Sequence, residues 1–491
     1  MTCRRSCLCL VLLALLVTPG WAGAQVPAGW EKVSGPPETA AYSGVPDGLQ
    51  PGGDRENSYS WSMSVLGDSL YVGTNRNAFS LMVQQVPWGP MLIPTPVPFP
   101  TDMRARIYRM SLADGAWHDV YVAPPLGAGV PVQGPDNGYR MMLTFAAARR
   151  KPVLYAGSSG IGICRLLAID GTHAPVEIYR SVVPDRFLSI RAIAEHGRRL
   201  FWATEDEDGP ALFVSSDPLR EYLADPEAGF ERIGLPPEWQ QAGGAEVADL
   251  ISYNGWLYVF FLTKTQEPSE FGFWCARVKR TAGAWQWKLV VGDAPGARYP
   301  AGLGVADNGV AVPFRFQNQV YVGMMDAAAF RLLNGITNPS APGPVQKWSE
   351  HGMQLWRFDQ RDRWERVMPA ADLSGPDEEA ARGFGNENNK YLWRFGTIDG
   401  RLYLGTFDVG TGLQALNPPG APPVVLPNSA GFDLYSTRDG KTWRLETEDG
   451  FEDRWNYGAR SFATDPATGD LFLGTANPFY GCQVWRKRAG R

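Results

Sequence analysis

The sequence predicts an all-β fold, a seven-bladed β-propeller of four-stranded antiparallel blades whose last blade is closed by an N-terminal strand. Three observations carry the prediction. One apolar phrase ending in a small residue occurs seven times, hairpin turns precede most copies, and the two ends of the chain hold complementary fragments of one repeat. Repeats of this size, each reading as several short strands, are the sequence form of a propeller.

The phrase is Leu70-Tyr-Val-Gly-Thr74 in its first copy. It returns as Leu154-Tyr-Ala-Gly-Ser158, Leu200-Phe-Trp-Ala-Thr204, Leu257-Tyr-Val-Phe-Phe261, Val320-Tyr-Val-Gly-Met324, Leu402-Tyr-Leu-Gly-Thr406 and Leu471-Phe-Leu-Gly-Thr475. Turns such as Tyr253-Asn-Gly-Trp256 and Ile398-Asp-Gly-Arg401 stand before it, and Asn-Gly and Asp-Gly supply the positive φ angles that tight hairpins need. An apolar stretch such as Leu188-Ser-Ile-Arg-Ala-Ile-Ala194 precedes the turn, so each repeat opens with an antiparallel pair.

Third strands are expected at Arg106–Arg109, Ala211–Val214, Gln354–Arg357 and Asp433–Ser436. Fourth strands are marked by an aromatic residue with an apolar one three places on, as in Trp117 with Val120, Phe230 with Ile233 and Trp364 with Val367. The last repeat ends on a third strand, Cys482-Gln-Val-Trp485. Near the other end, Trp30-Glu-Lys-Val33 matches Trp364-Glu-Arg-Val367 and has no repeat of its own. Pairing the two ends would remove an exposed edge.

Residues 1–24 read as an export signal. Arg4 and Arg5 precede an apolar stretch, Cys7 to Val17, and Ala22-Gly23-Ala24 offers a small-residue cleavage site. That stretch is short for a membrane span, which needs about 20 residues. The expectation is a secreted or periplasmic protein without a transmembrane segment, residues 25–491 forming one propeller domain. Long spacings are assigned to apolar insertions near 78–105, 327–350 and 409–430, with a short helix at Ala327–Leu333. A net charge of −5 argues against nucleic acid as a partner. Cys164, Cys275 and Cys482 remain after the signal, an odd, widely spaced set that implies no disulfide framework.

Ser436-Thr-Arg-Asp-Gly-Lys-Thr-Trp443 resembles the Asp-box of sialidase-like propellers, Ser-x-Asp-x-Gly-x-Thr-Trp, with Arg438 where the aspartate belongs. Leu112-Ala-Asp-Gly-Ala-Trp117 and Ala282-Gly-Ala-Trp285 are looser echoes. The resemblance implies a turn between the third and fourth strands of a propeller blade and implies no activity. The early Arg-Ile-Pro motif of sialidases is lacking, so their chemistry is not carried over. Leu471-Phe-Leu-Gly-Thr-Ala-Asn-Pro with Gly481-Cys-Gln-Val-Trp-Arg486 also looks like uncharacterised secreted bacterial propeller proteins.

Three sets of residues are expected to meet at one end of the channel. The first lies early in the innermost strands: Glu56, Trp61, Arg140, Arg191, Glu387, Trp393, Arg394 and Arg460. Arginine on a buried strand is costly unless it is paired or faces water, so these arginines suit an anion or form internal pairs with acids such as Asp249. The second set ends second strands, Asn75, Glu205, Asp326, Asp408 and Asn477, read as ligand contacts or turn caps, with Asn75, Asp408 and Asn477 in the candidate site. The third is the apolar insertions, read as a lid or a partner surface. Trp61 and Trp393 flanking Arg460 would make a stacking site, with Glu56 and Glu387 as candidate catalytic acid–base groups.

His118, His173, His196 and His351 show no ligand spacing, and no nucleophile elbow, phosphate loop or redox-cofactor motif occurs. No cofactor is expected. A structural calcium at Asp206-Glu-Asp208 stays open against a solvated acidic turn. Two functional readings remain. One is a propeller that binds, with hydrolase or lyase turnover undecided, a small organic ligand having an apolar body and an anionic or polyhydroxylated group. The other is a noncatalytic module that docks a protein through the insertions.

Overall fold

The computed structural model describes residues 26–35, 56–76, 102–129, 132–240, 245–263, 272–327, 352–415, 426 and 429–490. The segment read as an export signal, the insertion residues 78–100 and 328–350, and His351 lie outside them. Of the insertion near 409–430, a short helix Gly410–Ala415 is described.

The strands are consecutive antiparallel meanders, as a propeller requires. The first strand in the chain, β1 (Trp30–Lys32), stands apart from this order and is taken up last. β2 (Asn57–Leu66), β3 (Ser69–Arg76), β4 (Arg106–Ser111) and β5 (Trp117–Val122) form one blade. β6 (Gly138–Phe145), β7 (Val153–Ile169) and β8 (Val176–Ser189) form the next. Here β7 serves two positions, bending at Gly162 (φ 76°) so that the Arg165 amide reaches the Ser158 hydroxyl. β9 (Ala192–His196), β10 (Arg199–Asp206), β11 (Gly209–Ser215) and β12 (Glu231–Gly234) follow as a separate four-stranded sheet. So do β13 (Ala245–Tyr253), β14 (Trp256–Thr263), β15 (Trp274–Thr281) and β16 (Ala284–Val291).

The pattern continues with β17 (Asn308–Phe316), β18 (Gln319–Asp326), β19 (Leu355–Phe358) and β20 (Trp364–Met368), then β21 (Asn389–Ile398), β22 (Arg401–Asp408), β23 (Leu434–Thr437) and β24 (Arg444–Thr447). β25 (Gly458–Thr464), β26 (Leu471–Ala476) and β27 (Val484–Lys487) end the chain. β1 pairs antiparallel with β27, Trp30 opposite Lys487 and Lys32 opposite Trp485. First strands of successive blades touch: β2 with β6, β6 with β9, β9 with β13, β13 with β17, β17 with β21, β21 with β25, and β25 with β2.

The recurring phrase is the second strand, and its small residue answers a close approach. A Cβ on Gly157 would lie 2.5 Å from Ile190, on Gly323 2.6 Å from Leu392, on Gly405 2.2 Å from Ala459, and on Gly474 2.1 Å from Ser60. In each case the contact is the first strand, or the residue leading into it, of the neighbouring blade. Larger side chains fill the space farther out, as where Phe201, Leu212, Val259 and Trp274 join two blades. Cys164, Cys275 and Cys482 are buried and form no disulfide among the described residues. No helix among the described residues is long and apolar enough to cross a membrane.

Between β23 and β24 the Asp-box-like turn keeps a carboxylate one place later than the motif prescribes. Asp439 accepts hydrogen bonds from the Thr437 hydroxyl and from the amides of Lys441 and Thr442.

A polar corner recurs where β17, β21 and β25 begin, and the sequence analysis had read part of it as a ligand surface. Gly302-Leu303, Gly383-Phe384 and Gly450-Phe451 all take left-handed conformations, with φ between 58° and 68°. Six residues past each glycine, Asn308, Asn389 or Asn456 donates its amide to that glycine's carbonyl. The same asparagine amide also bonds Gln354, Asp433 or Gln483, the residue before the third strand. Two places on, Trp356, Tyr435 or Trp485 donates to that Gln or Asp. The corner offsets left-handed backbone with buried hydrogen bonds and ties the start of the first strand to the third.

Candidate functional site

Four β-bulges lie on adjoining first strands. In each, one residue is extra against the partner strand at the step where the second strand carries glycine: Trp61 on β2, Arg140 on β6, Trp393 on β21 and Arg460 on β25; β2 and β21 have a further extra residue, Ser58 and Lys390. Bulges re-aim a side chain and recur beside functional sites. These four belong to strands that touch one another, β21 with β25, β25 with β2 and β2 with β6.

The bulged residues pair as cation over indole. The Arg460 guanidinium lies 4.9 Å from the Trp393 ring and Arg140 lies 5.2 Å from Trp61. The sequence analysis had set one arginine between two tryptophans; each tryptophan instead carries its own arginine. Gly458 makes room for this, because a Cβ there would stand 2.1 Å from Trp393. Tyr59 bridges the two units, 6.4 Å from Trp61 and 6.1 Å from Trp393 between ring centres, and Tyr457 stacks on Trp393 at 6.2 Å. Tyr391 and Phe407 complete the wall around Trp393. The hydroxyls of Tyr59 and Tyr457 bond each other, and burial holds both pKa values above the usual tyrosine range, so both stay protonated near neutral pH.

Charge is unevenly matched. Arg394 bonds Asp249 at 2.9 Å, and Arg191 stands 3.6 Å from Glu246; both acids lie on β13. Burial raises the Asp249 pKa against the pull of Arg394. Arg140 and Arg460 have no ion pair among the described residues. Arg460 is 3% exposed, and its Nε and Nη1 donors lack partners. Burial, Arg394 and Arg140 push its pKa well down, and burial with Arg191 brings Arg140 to about 9. Arginine nevertheless stays protonated in proteins, so the cost remains as uncompensated buried charge that a bound anion would relieve.

The remaining candidate residues fall elsewhere. Asp408 is 1% exposed and accepts from the Gly410 amide and the Asn386 side chain; Asn477 is fully buried and donates to Asp453 and Asn456. Both are turn caps of the polar corner rather than ligand contacts, because buried strand ends must satisfy their polar groups internally. The two blades reverse the chemistry. Carboxylates at Asp408 and Asp433 receive the Asn386 amide, while amides at Asn477 and Gln483 donate to the Asp453 carboxylate. Asn75 donates to the Asn137 carbonyl. Glu56 is half-buried at the start of β2, and Glu387 is exposed in the turn before β21. The ion pairs of Arg191 and Arg394 go to neither glutamate. Asp206, weighed for calcium, is held by Arg232 at 2.7 Å. Among the described residues no cluster of three or more His, Cys, Asp or Glu could hold a metal ion.

Fold and site together define a β-propeller whose touching first strands gather arginines and aromatic rings. No family model matches the chain, and no curated protein does. Among solved structures it is similar to an ancestral GH74 enzyme, at 13% identity over 91% of this chain and 49% of that one, with a TM-score of 0.49. It is similar to the GH74 xyloglucanase from Xanthomonas campestris at 14% identity over 93% and 53%, TM-score 0.44. The β-propeller domain of the Trilobed protease from Pyrococcus furiosus matches at 9% identity over 87% and 94%, TM-score 0.40. The chain spans about half the length of the two GH74 structures.

Proposed function

We propose that this is an exported seven-bladed propeller, closed by β1, whose channel binds a small organic anion with an apolar body. The unbroken succession of touching first strands and the pairing of β1 with β27 support the blade count and the closure. The observation that carries the binding reading is Arg460: a buried guanidinium with two unpartnered donors, set over Trp393 in an aromatic wall. Guanidinium groups bond carboxylate or phosphate oxygens, and the indole faces would cover the ligand's apolar part. If the ligand is turned over by a hydrolase or lyase, Glu56 and Glu387 are the candidate acid–base groups.

Gly458→Ala tests this, because the added methyl must displace Trp393. Titration calorimetry with benzoate should give binding that falls about tenfold or more in the variant, with a stability loss of about 1–3 kcal/mol from overpacking. Benzyl alcohol should bind neither form. Benzoate binding equally well to both proteins would end the proposal.

A further inference from the structure

We infer that the ligand of this channel carries two negative charges, received by Arg140 and Arg460. The inference rests on the anion-binding reading above and goes further by naming the charge of the ligand.

Four arginines converge on the channel, and the acids that face them are Glu246 and Asp249. Both acids come from β13, so compensation falls on one side. Asp249 reaches past the blade of β17–β20 to hold Arg394 on β21, and Glu246 holds Arg191 beside β9. The other side, built from β25, β2 and β6, carries Arg460 and Arg140, each over an indole and neither in an ion pair among the described residues; Glu246, which holds Arg191, acts on Arg140 only from longer range. Cation–π contact satisfies the face of a guanidinium and leaves its in-plane N–H donors to a ligand. Two acids against four arginines leave two positive charges. A monoanion would leave one of them unmatched. A dianion, either a phosphomonoester or a dicarboxylate, matches both.

The two arginines stand on different strands with Tyr59 touching both tryptophans between them. A ligand that engages both therefore lies across the face of β2. The Tyr59 and Tyr457 hydroxyls, bonded to each other, stand in the same aromatic wall.

The test is titration calorimetry at pH 8 with phenyl phosphate, a dianion, benzoate, a monoanion, and benzyl alcohol, which is neutral. Phenyl phosphate should bind at least about tenfold more tightly than benzoate, a difference of about 1.4 kcal/mol. Arg460→Met and Arg140→Met should each erase that preference, while Arg460→Lys should keep most of it. Without ligand, Arg460→Met should melt higher than the parent, because an uncompensated buried charge has been removed. Equal affinity for the two anions overturns the dianion inference and leaves the anion-binding reading standing. Binding of the alcohol as tightly as the anions, or binding of neither anion, overturns both. A lower melting temperature for ligand-free Arg460→Met would mark Arg460 as a structural cation and overturn the inference.

Discussion

Asp433 shows how one side chain can carry pH dependence for a whole corner. Burial lifts its carboxyl to about 6, against the hydrogen bonds from Asn389, Tyr435 and Asn386 that favour the charged form. Asp408 shares the Asn386 amide and is raised as well, by burial and by Asp433. A carboxyl that holds its proton more tightly when folded stabilises the protein below its unfolded pKa. That contribution is lost as pH rises through the folded value. The parent should therefore lose stability between pH 4 and 6.5, by on the order of 3 kcal/mol. Asp433→Gln, the amide that Gln354 and Gln483 supply in sister blades, should flatten that interval, measured as urea midpoints across pH. At this scale Trp61, Trp393, Arg140 and Arg460 were legible from the sequence, as large or charged residues on strands that should be buried. Asp408 and Asn477 were not distinguishable from ligand contacts, since a polar residue ending a strand reads the same whether a ligand or a buried amide awaits it. Tyr59 and Tyr457 were legible as part of an Asn…Tyr pattern early in the first strands, Asn57-Ser-Tyr59 and Asn456-Tyr457, but nothing local to that pattern says that the two hydroxyls meet.

The blade is made by more than alternating strands. In three blades the first strand starts at or just after an asparagine that locks a left-handed turn and reaches the residue before the third strand at once. Replacing Asn308, Asn389 or Asn456 with alanine leaves a glycine carbonyl and a Gln or Asp side chain short of a buried donor. Each change should cost about 1–3 kcal/mol, read from urea unfolding, without loss of phenyl phosphate affinity beyond what instability explains. Glycine followed by Leu or Phe, with Asn six places after the glycine, was present in the sequence as the signal of this corner. It went unread because two adjacent left-handed residues are rare and only the folded turn displays them. The strands themselves were legible, since turn chemistry and period-two patterning are local. The second copy of the repeat was harder, because its third and fourth strands, in β7 and β8, lack the aromatic phrase.

For the molecule as a whole, β1 is the element with the widest effect. Trp30 packs among Tyr403, Phe451 and Trp485, and the Glu31 carboxylate takes Arg486 and Arg488. A chain beginning at Ser34 should lose about 3–5 kcal/mol from the missing tryptophan alone. It should also self-associate through the bared β27 edge, seen as a lower melting temperature and a larger mass by light scattering. An unchanged monomer would mean that β1 does not close the ring.

The sequence by itself determined the repeat, the order of strands within it and the pairing of the two ends, because each rests on contacts between near neighbours or on matched fragments. Only the tertiary structure decided which polar residues face the channel and which of its charges are matched. That outcome depends on groups far apart in the chain, as Asp249 and Arg394 are, and no local pattern records that they meet.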